Sequence, residues 1–326
     1  MVFKTEMEAV CAVSNAMVLE RSTQVTVRLK SRPSSIEKLT ETIFELHPEL
    51  VACVESLSCR AGSFQSCCEL TFEVAYNKTM PSTVTVLKET DEALCAMLRS
   101  ARHHERTAEM VLPKELEQSV KLLVSGIRDL PVFLDCFLKG TMMSIRRLKG
   151  SRFCALSVRF MYYCSDRDYL RRNSGRERSI DHIAQIASAK GIEDWRRAFE
   201  TVQYCVENWR YGKTDDLPEV EFTSYGALVK QTAVCMGIAL GVCAVFSRLG
   251  IPCRYIRGER NGVGHAWNMI YVRGGWFFID VTDAIGMRDP YYNWGITSFD
   301  DRTISDKITV TLNCTVPVPF IRKNIS

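Results

Sequence analysis

The sequence predicts an α+β protein in three parts, and three observations carry that reading. A strand, an amphipathic helix and further alternating strands recur along the first two thirds of the chain, a helix apolar on nearly every side stands in the last third, and two strands joined by a tight glycine-containing turn follow it. The parts are residues 1–105, an α+β module; 106–190, a second module that repeats the first as strand-helix-strand-strand; and 191–326, a compact C-terminal domain.

The first module opens on Val25, Val27 and Leu29, which alternate with Thr26 and Arg28 as a half-buried strand does. Ser34 to Glu37 has the spacing of a capping box, and the helix it introduces carries Ile36, Leu39, Ile43 and Leu46 on one face before Pro48 stops it. Leu70, Phe72, Val74 and Tyr76 then alternate as a second strand. An offset of 84 residues brings that helix face onto Val120, Leu123, Ile127 and Leu130, closed by Pro131. An offset of 86 brings the strand onto Leu156, Val158, Phe160 and Tyr162, and short helices are expected at Asp91–Leu98 and Asp181–Ala187. The two modules offer little chemistry. His103 and His104, between Arg102 and Glu105, read as a solvated charged segment, and the basic runs Arg146–Lys149 and Arg171–Arg176 read as loop charge.

Composition limits the function classes. Hydrophobic residues are 46% and charged residues 25% of 326, so the chain folds around real cores. Its 42 basic and 38 acidic side chains leave +4, too mild a balance for a nucleic-acid partner. No run reaches the roughly 20 apolar residues of a membrane helix. Glu6 and Glu8 interrupt the start, so no membrane span and no signal peptide are expected, and the location reads as cytoplasmic. Fourteen cysteines form no CxxC pair and read as reduced thiols. The sequons at Asn77 and Asn313 would matter only outside the cell.

The chemistry lies in the last third. Trp195, Phe199, Val202, Val206 and Trp209 recur at helical spacing, and Gly212 and Pro218 break the pattern across an acidic loop. The apolar segment from Cys235 to Leu249 is a buried central helix, ended by Gly250 and Pro252. Cys235 would stand at its N-terminal end, where free N–H groups and the helix dipole favour a thiolate. Cys243 and Cys253 read as packing, in the helix interior and in a strand.

The strands His265–Val272 and Trp276–Thr282 flank Arg273-Gly-Gly275, a hairpin signal. A two-residue Arg-Gly turn sets Asp280 opposite Trp267, so His265 and Asp280 become diagonal neighbours about 7–8 Å apart, while a Gly-Gly turn keeps the face and lengthens the diagonal. That places an imidazole and a carboxylate on one face, as a base and its orienting group require.

These residues resemble a family. Cys235-x-Gly-x-Ala, Gly250-Ile-Pro-Cys-Arg-Tyr-Ile-Arg-Gly258, Gly264-His-Ala-Trp-Asn268 and Gly275-Trp-Phe-Phe-Ile-Asp-Val-Thr282 are similar to the transglutaminase-like core in its bacterial form, and Ser224-Tyr-Gly-Ala-Leu-Val229 resembles its lead-in. The resemblance covers about residues 193–300. It implies a papain-like fold there, with Cys235 as nucleophile, His265 as general base and acid, and Asp280 as the carboxylate that orients the ring. It implies acyl transfer or hydrolysis at amide bonds of a peptide or protein substrate through a thioester; some relatives require calcium, but no acidic loop of EF-hand spacing occurs here, so no metal and no cofactor are expected. The Cys235 N–H is one expected oxyanion donor; Tyr225 and Gln231 are candidates for the second. Trp267 and Trp276 read as packing more than substrate contact, and Asn268 as a tie to a loop. Ile238 and Asp283 depart from the family pattern and bear on substrate fit. Two alternatives stay open: a cysteine peptidase of cell-wall or other peptides, and a non-catalytic interaction protein with a vestigial triad. The sequence leaves the oligomeric state unassigned.

Overall fold

Mixed helix and strand periods produce an α+β structure. The computed structural model describes residues 2–77, 84–127, 130–214 and 219–304. The Asn77 sequon runs past residue 77, and the Asn313 sequon and Pro218 of the acidic loop lie outside the described residues.

Strand β1 (Val2–Phe3), helix α1 (Glu6–Asn15), strand β2 (Gln24–Leu29), helix α2 (Ile36–Leu46) and strands β3 (Val54–Phe64) and β4 (Cys67–Tyr76) make a sheet in the order β1-β2-β4-β3. Helix α2 buries Leu39, Ile43 and Phe44 and ends before Pro48, as its period predicts. Its cap differs from the expected box. Ser35, not Ser34, accepts the Lys38 N–H at 3.1 Å, while the Ser34 N–H donates to Glu6 at 2.9 Å.

Strand β5 (Thr85–Val86), helix α3 (Thr90–Arg102), strand β6 (Thr107–Pro113), helices α4 (Glu117–Ser125) and α5 (Pro131–Leu134), and strands β7 (Leu138–Arg147) and β8 (Phe153–Tyr162) make a second sheet, β5-β6-β8-β7. The strand order and the sequence of connections are those of the first sheet. Helix α4 stops at Ser125, and Pro131 opens α5 instead of closing a longer helix, because a proline is at ease in a first turn.

Beyond β8 come helices α6 (Asp166–Lys190) and α7 (Asp194–Asn208), strand β9 (Arg210–Tyr211), helix α8 (Ser224–Leu228), strand β10 (Thr232–Ala233), helix α9 (Cys235–Arg248), strands β11 (Cys253–Arg260), β12 (Val263–Val272) and β13 (Gly275–Ile279), helix α10 (Val281–Met287), and strands β14 (Trp294–Ile296) and β15 (Arg302–Ile304). The sheet order is β14-β13-β12-β11-β15. Helix α9 is buried on nearly every side, its Leu240, Val242 and Phe246 sharing a core with Ile183, Val202 and Ile270. Gly250 ends it in the left-handed region, at φ +71.

The expected helix at Asp181–Ala187 is one part of the 25-residue α6, started by Ser165, whose hydroxyl accepts the Asp168 N–H at 3.1 Å. The Arg171–Arg176 run therefore belongs to a helix, and Arg146 and Arg147 to strand β7, rather than to loops. His104 is not solvated. Its ring stacks on Tyr169 at 4.4 Å and its Nδ1 lies 2.8 Å from Asp166, because the start of α6 brings both partners to it. By compactness the chain divides into Met1–Ser100 with Glu105–Ser125 and Thr141–Arg159, and Ala101–His104 with Gly126–Gly140 and the residues from Phe160 onward. Among the described residues, no helix is long and apolar enough to cross a membrane.

Candidate active site

The short parallel pair β9–β10, with Tyr211 beside Ala233, leads the chain to Cys235 at the first position of α9. Val234 supplies no side-chain cap there, so the first-turn N–H groups and the positive end of the helix dipole are left for the thiol. Gly237 lets this first turn approach its neighbours: a Cβ on it would stand 2.4 Å from the Glu221 carbonyl oxygen and 2.7 Å from that of Thr223. The glycine of the Cys-x-Gly pattern thus has a steric cause.

Strands β12 and β13 pair from Val272↔Gly275 to Asn268↔Ile279, the register that an Arg273-Gly274 turn predicts. Both turn residues have positive φ, 52° and 78°, as a tight hairpin of this hand requires. Asp280 then leaves the strand and caps α10, its Oδ1 accepting the Asp283 N–H at 3.0 Å. Its Oδ2 lies 2.7 Å from His265 Nε2, with the Asp280 side chain buried and that of His265 10% exposed. With Nε2 on the carboxylate, Nδ1 is the nitrogen left for Cys235, whose thiol is the ring's other electrostatic neighbour.

Burial of the imidazole opposes its charged form, but its hydrogen bond to Asp280 and the charges of Asp280 and Cys235 outweigh that, and the ring is pushed up to about 9. Asp280 is also opposed by burial, yet His265, Arg302 and the Asp283 N–H hold it below the usual carboxylate range. The site therefore favours a protonated imidazole beside an ionised carboxylate.

The other expected residues divide. Trp267 is fully buried, parallel to His265 at 5.8 Å and packed with Ile256 and Phe278. Trp276 stands edge-on to Tyr271 at 5.4 Å, with Arg254 over its ring at 4.3 Å. Asn268 ties strand to helix instead of holding a loop: its Nδ2 donates to the Ala239 carbonyl at 3.0 Å and to Cys243 Sγ at 3.1 Å. The Tyr225 ring packs with Phe137, Tyr169 and Val220, and Gln231 is exposed on the turn before β10, at φ +53. Cys243 and Cys253 are buried with sulfurs 3.3 Å apart, and burial pushes the Cys253 thiol well up.

Sequence reasoning missed several residues at the site. Tyr211 and Tyr255 both feel the charge of Cys235, which adds to burial in raising their hydroxyls. Asp283 does more than vary substrate fit: it is buried, accepts from Arg302, Arg260 and Asn293, and is pushed up by burial and by Asp280. Arg302 itself is fully buried against Asp280. Side-chain atoms of His265, Asp280 and Asp283 lie within 4.8 Å of one another, and their carboxylate oxygens already accept hydrogen bonds, Asp280 Oδ1 from the Asp283 N–H and the other three from guanidinium groups.

The site thus has a cysteine at the start of a buried helix and a histidine on a hairpin strand bonded to an aspartate just beyond the hairpin's second strand. Residues 181–281 match the sequence model of the transglutaminase-like superfamily, so the C-terminal part of the chain carries a transglutaminase-like core. Three solved structures are similar at low identity. One is a TGase, at 11% identity and TM-score 0.31, covering 82% of this chain and 54% of its own. Another is a candidate cysteine protease from Cytophaga hutchinsonii, at 14% and 0.30, covering 57% and 83%. The third is a candidate protease from Parabacteroides distasonis, at 6% and 0.26, covering 78% and 39%. This chain thus spans about half the length of the TGase. No curated protein matches the sequence.

Proposed function

We propose that the C-terminal core performs acyl transfer or hydrolysis at amide bonds of peptides or proteins, with Cys235 as nucleophile, His265 as general acid and base, and Asp280 as its orienting carboxylate. The 2.7 Å contact between His265 Nε2 and Asp280 Oδ2, together with Cys235 at the first position of α9, is the observation that carries this reading. Cys235 Sγ attacks the amide carbonyl carbon, and the new C–S bond leaves negative charge on the oxygen. The Cys235 N–H at the helix start is positioned by the helix itself to face that charge. His265 then protonates the departing nitrogen as the C–N bond breaks, giving a thioester. Water or a second amine, deprotonated by His265, displaces the sulfur and restores the thiol. The shared topology of the two front sheets supports reading them as one module used twice.

The test is peptide-resolved iodoacetamide alkylation of the native protein across pH, comparing wild type with His265→Ala. The reading requires Cys235 to label below pH 8 ahead of the other thiols and to lose that advantage without His265. Labelling no faster than the rest would leave the interaction-protein alternative in its place. Incubation with a fluorescent primary amine and glutamine-containing peptides then separates transfer, which labels the peptide, from hydrolysis, which releases ammonia or new carboxyl groups without label.

A further inference from the structure

A buried cation stands behind the His265–Asp280 pair, beyond the 181–281 match. Arg302 Nη1 donates to Asp280 Oδ2, the same oxygen that faces His265. Its Nη2 donates to Asp283 Oδ2 at 2.6 Å and its Nε to Asp301 Oδ1 at 3.2 Å. The guanidinium lies 3.7 Å from the Phe299 ring centroid, and its side chain is only 1% exposed.

A glycine admits it. Strand β15 pairs with β11 from Gly258↔Ile304 to Arg260↔Arg302. A Cβ on Gly258 would stand 1.9 Å from the Thr303 carbonyl oxygen, so any other residue there would push β15 away. The sheet edge is thus built to deliver Arg302 under the hairpin.

Burying a guanidinium is costly unless its geometry is well satisfied, and covering a sheet edge does not call for one. What Arg302 adds is control of one carboxylate. Asp280 Oδ1 is held by the Asp283 N–H and Oδ2 by Arg302, so the carboxylate is left one orientation toward His265. We propose that Arg302 is a positioning residue of the triad, fixing Asp280 from behind and, in balance with Asp283, setting how much of its charge reaches His265. This rests on the triad reading above. The charged and titratable groups around His265 are Asp280, Cys235 and Asp283, and behind these carboxylates stand Arg302, Arg260 and Asp301.

The experiment follows the His265 imidazole titration by NMR in the full chain, assigned with His265→Ala, for wild type, Arg302→Gln, Arg302→Lys and Asp283→Asn. Removing a cation near an imidazolium favours its charged form, so Arg302→Gln is expected to move the titration up by about one pH unit. Arg302→Lys, which keeps the charge, is expected to stay within roughly 0.3 unit of wild type, and Asp283→Asn to move the titration down by roughly one. An arginine that only held the fold would lower the melting temperature and leave His265 unmoved. An unmoved titration in folded Arg302→Gln overturns the proposal; if that variant does not fold, an unmoved or raised titration in Asp283→Asn does so. Cys235 alkylation in wild type is measured alongside. A slow Cys235 would remove the acyl-transfer reading, while the His265 titrations would still decide the role of Arg302.

Discussion

Ion pairs in the first sheet and in the C-terminal core both join an arginine to a carboxylate and differ in where they stand. Arg60–Glu73 and Arg28–Glu69 join neighbouring strands at partly exposed positions, where water competes for both charges. Arg302, Asp280 and Asp283 are taken out of water altogether. Exposed pairs contribute little to stability, whereas buried ones are held against a desolvation cost and are destabilising to break. The difference teaches where to look for function: a cross-strand pair on a solvated face suits a sheet edge, while a buried ionic network joined to a histidine and a cysteine suits chemistry.

The largest effect expected from breaking this comparison is at the triad. Cys235→Ser or His265→Ala should lower amide turnover by about a thousandfold or more, measured as ammonia or label released per enzyme, with melting temperature close to wild type. Asp280→Asn should lower turnover by a similar order, because it removes the charge that orients the ring. It should also cost about 3–5 kcal/mol in urea unfolding, because it leaves the buried Arg302 short of a carboxylate.

A sharper test is pH. His265 is raised from its ordinary 6.5 to about 9, so the stability from its pairing is fully present below pH 6.5 and is lost as pH rises through about 9. Turnover that needs its proton should fall over the same upper range, with the midpoint read from a kcat/KM profile. A fall centred near pH 6.5 would mean that Asp280 and Cys235 do not hold the ring charged.

Smaller effects follow. Gly258→Ala places a methyl against the Thr303 backbone, and an expected loss of roughly 1–3 kcal/mol in urea unfolding should come with slower turnover as Arg302 is displaced. Arg60→Ala, at the exposed pair, should leave melting temperature and turnover unchanged within error.

Parts of this structure were legible in advance for definite reasons. Helix α2 and strands β4 and β8 announce themselves because one face of each is buried and the other is wet, so the period is printed in the residues. The shared face of His265 and Asp280 was legible because either two-residue turn, Arg-Gly or Gly-Gly, preserves it, and the structure selects Arg273-Gly274. Strands β3 and β7 were not, being largely exposed and carrying little alternation. Most of α6 was hidden by its charged, Arg-rich first half, whose partners lie elsewhere in the chain. His104 looked solvated for the same reason, since Asp166 and Tyr169 are some 60 residues away in sequence.

By itself the sequence determined the α+β class, the buried helix beginning at Cys235 and the hairpin that sets His265 near Asp280, because these depend on local periods, caps and turn geometry. Only the tertiary structure decided that Asp280 caps α10, that Asn268 reaches back to α9, and that Gly258 opens the sheet edge to Arg302. Those contacts join residues distant in sequence, and their energies arise from burial and shared charge, which no local pattern records.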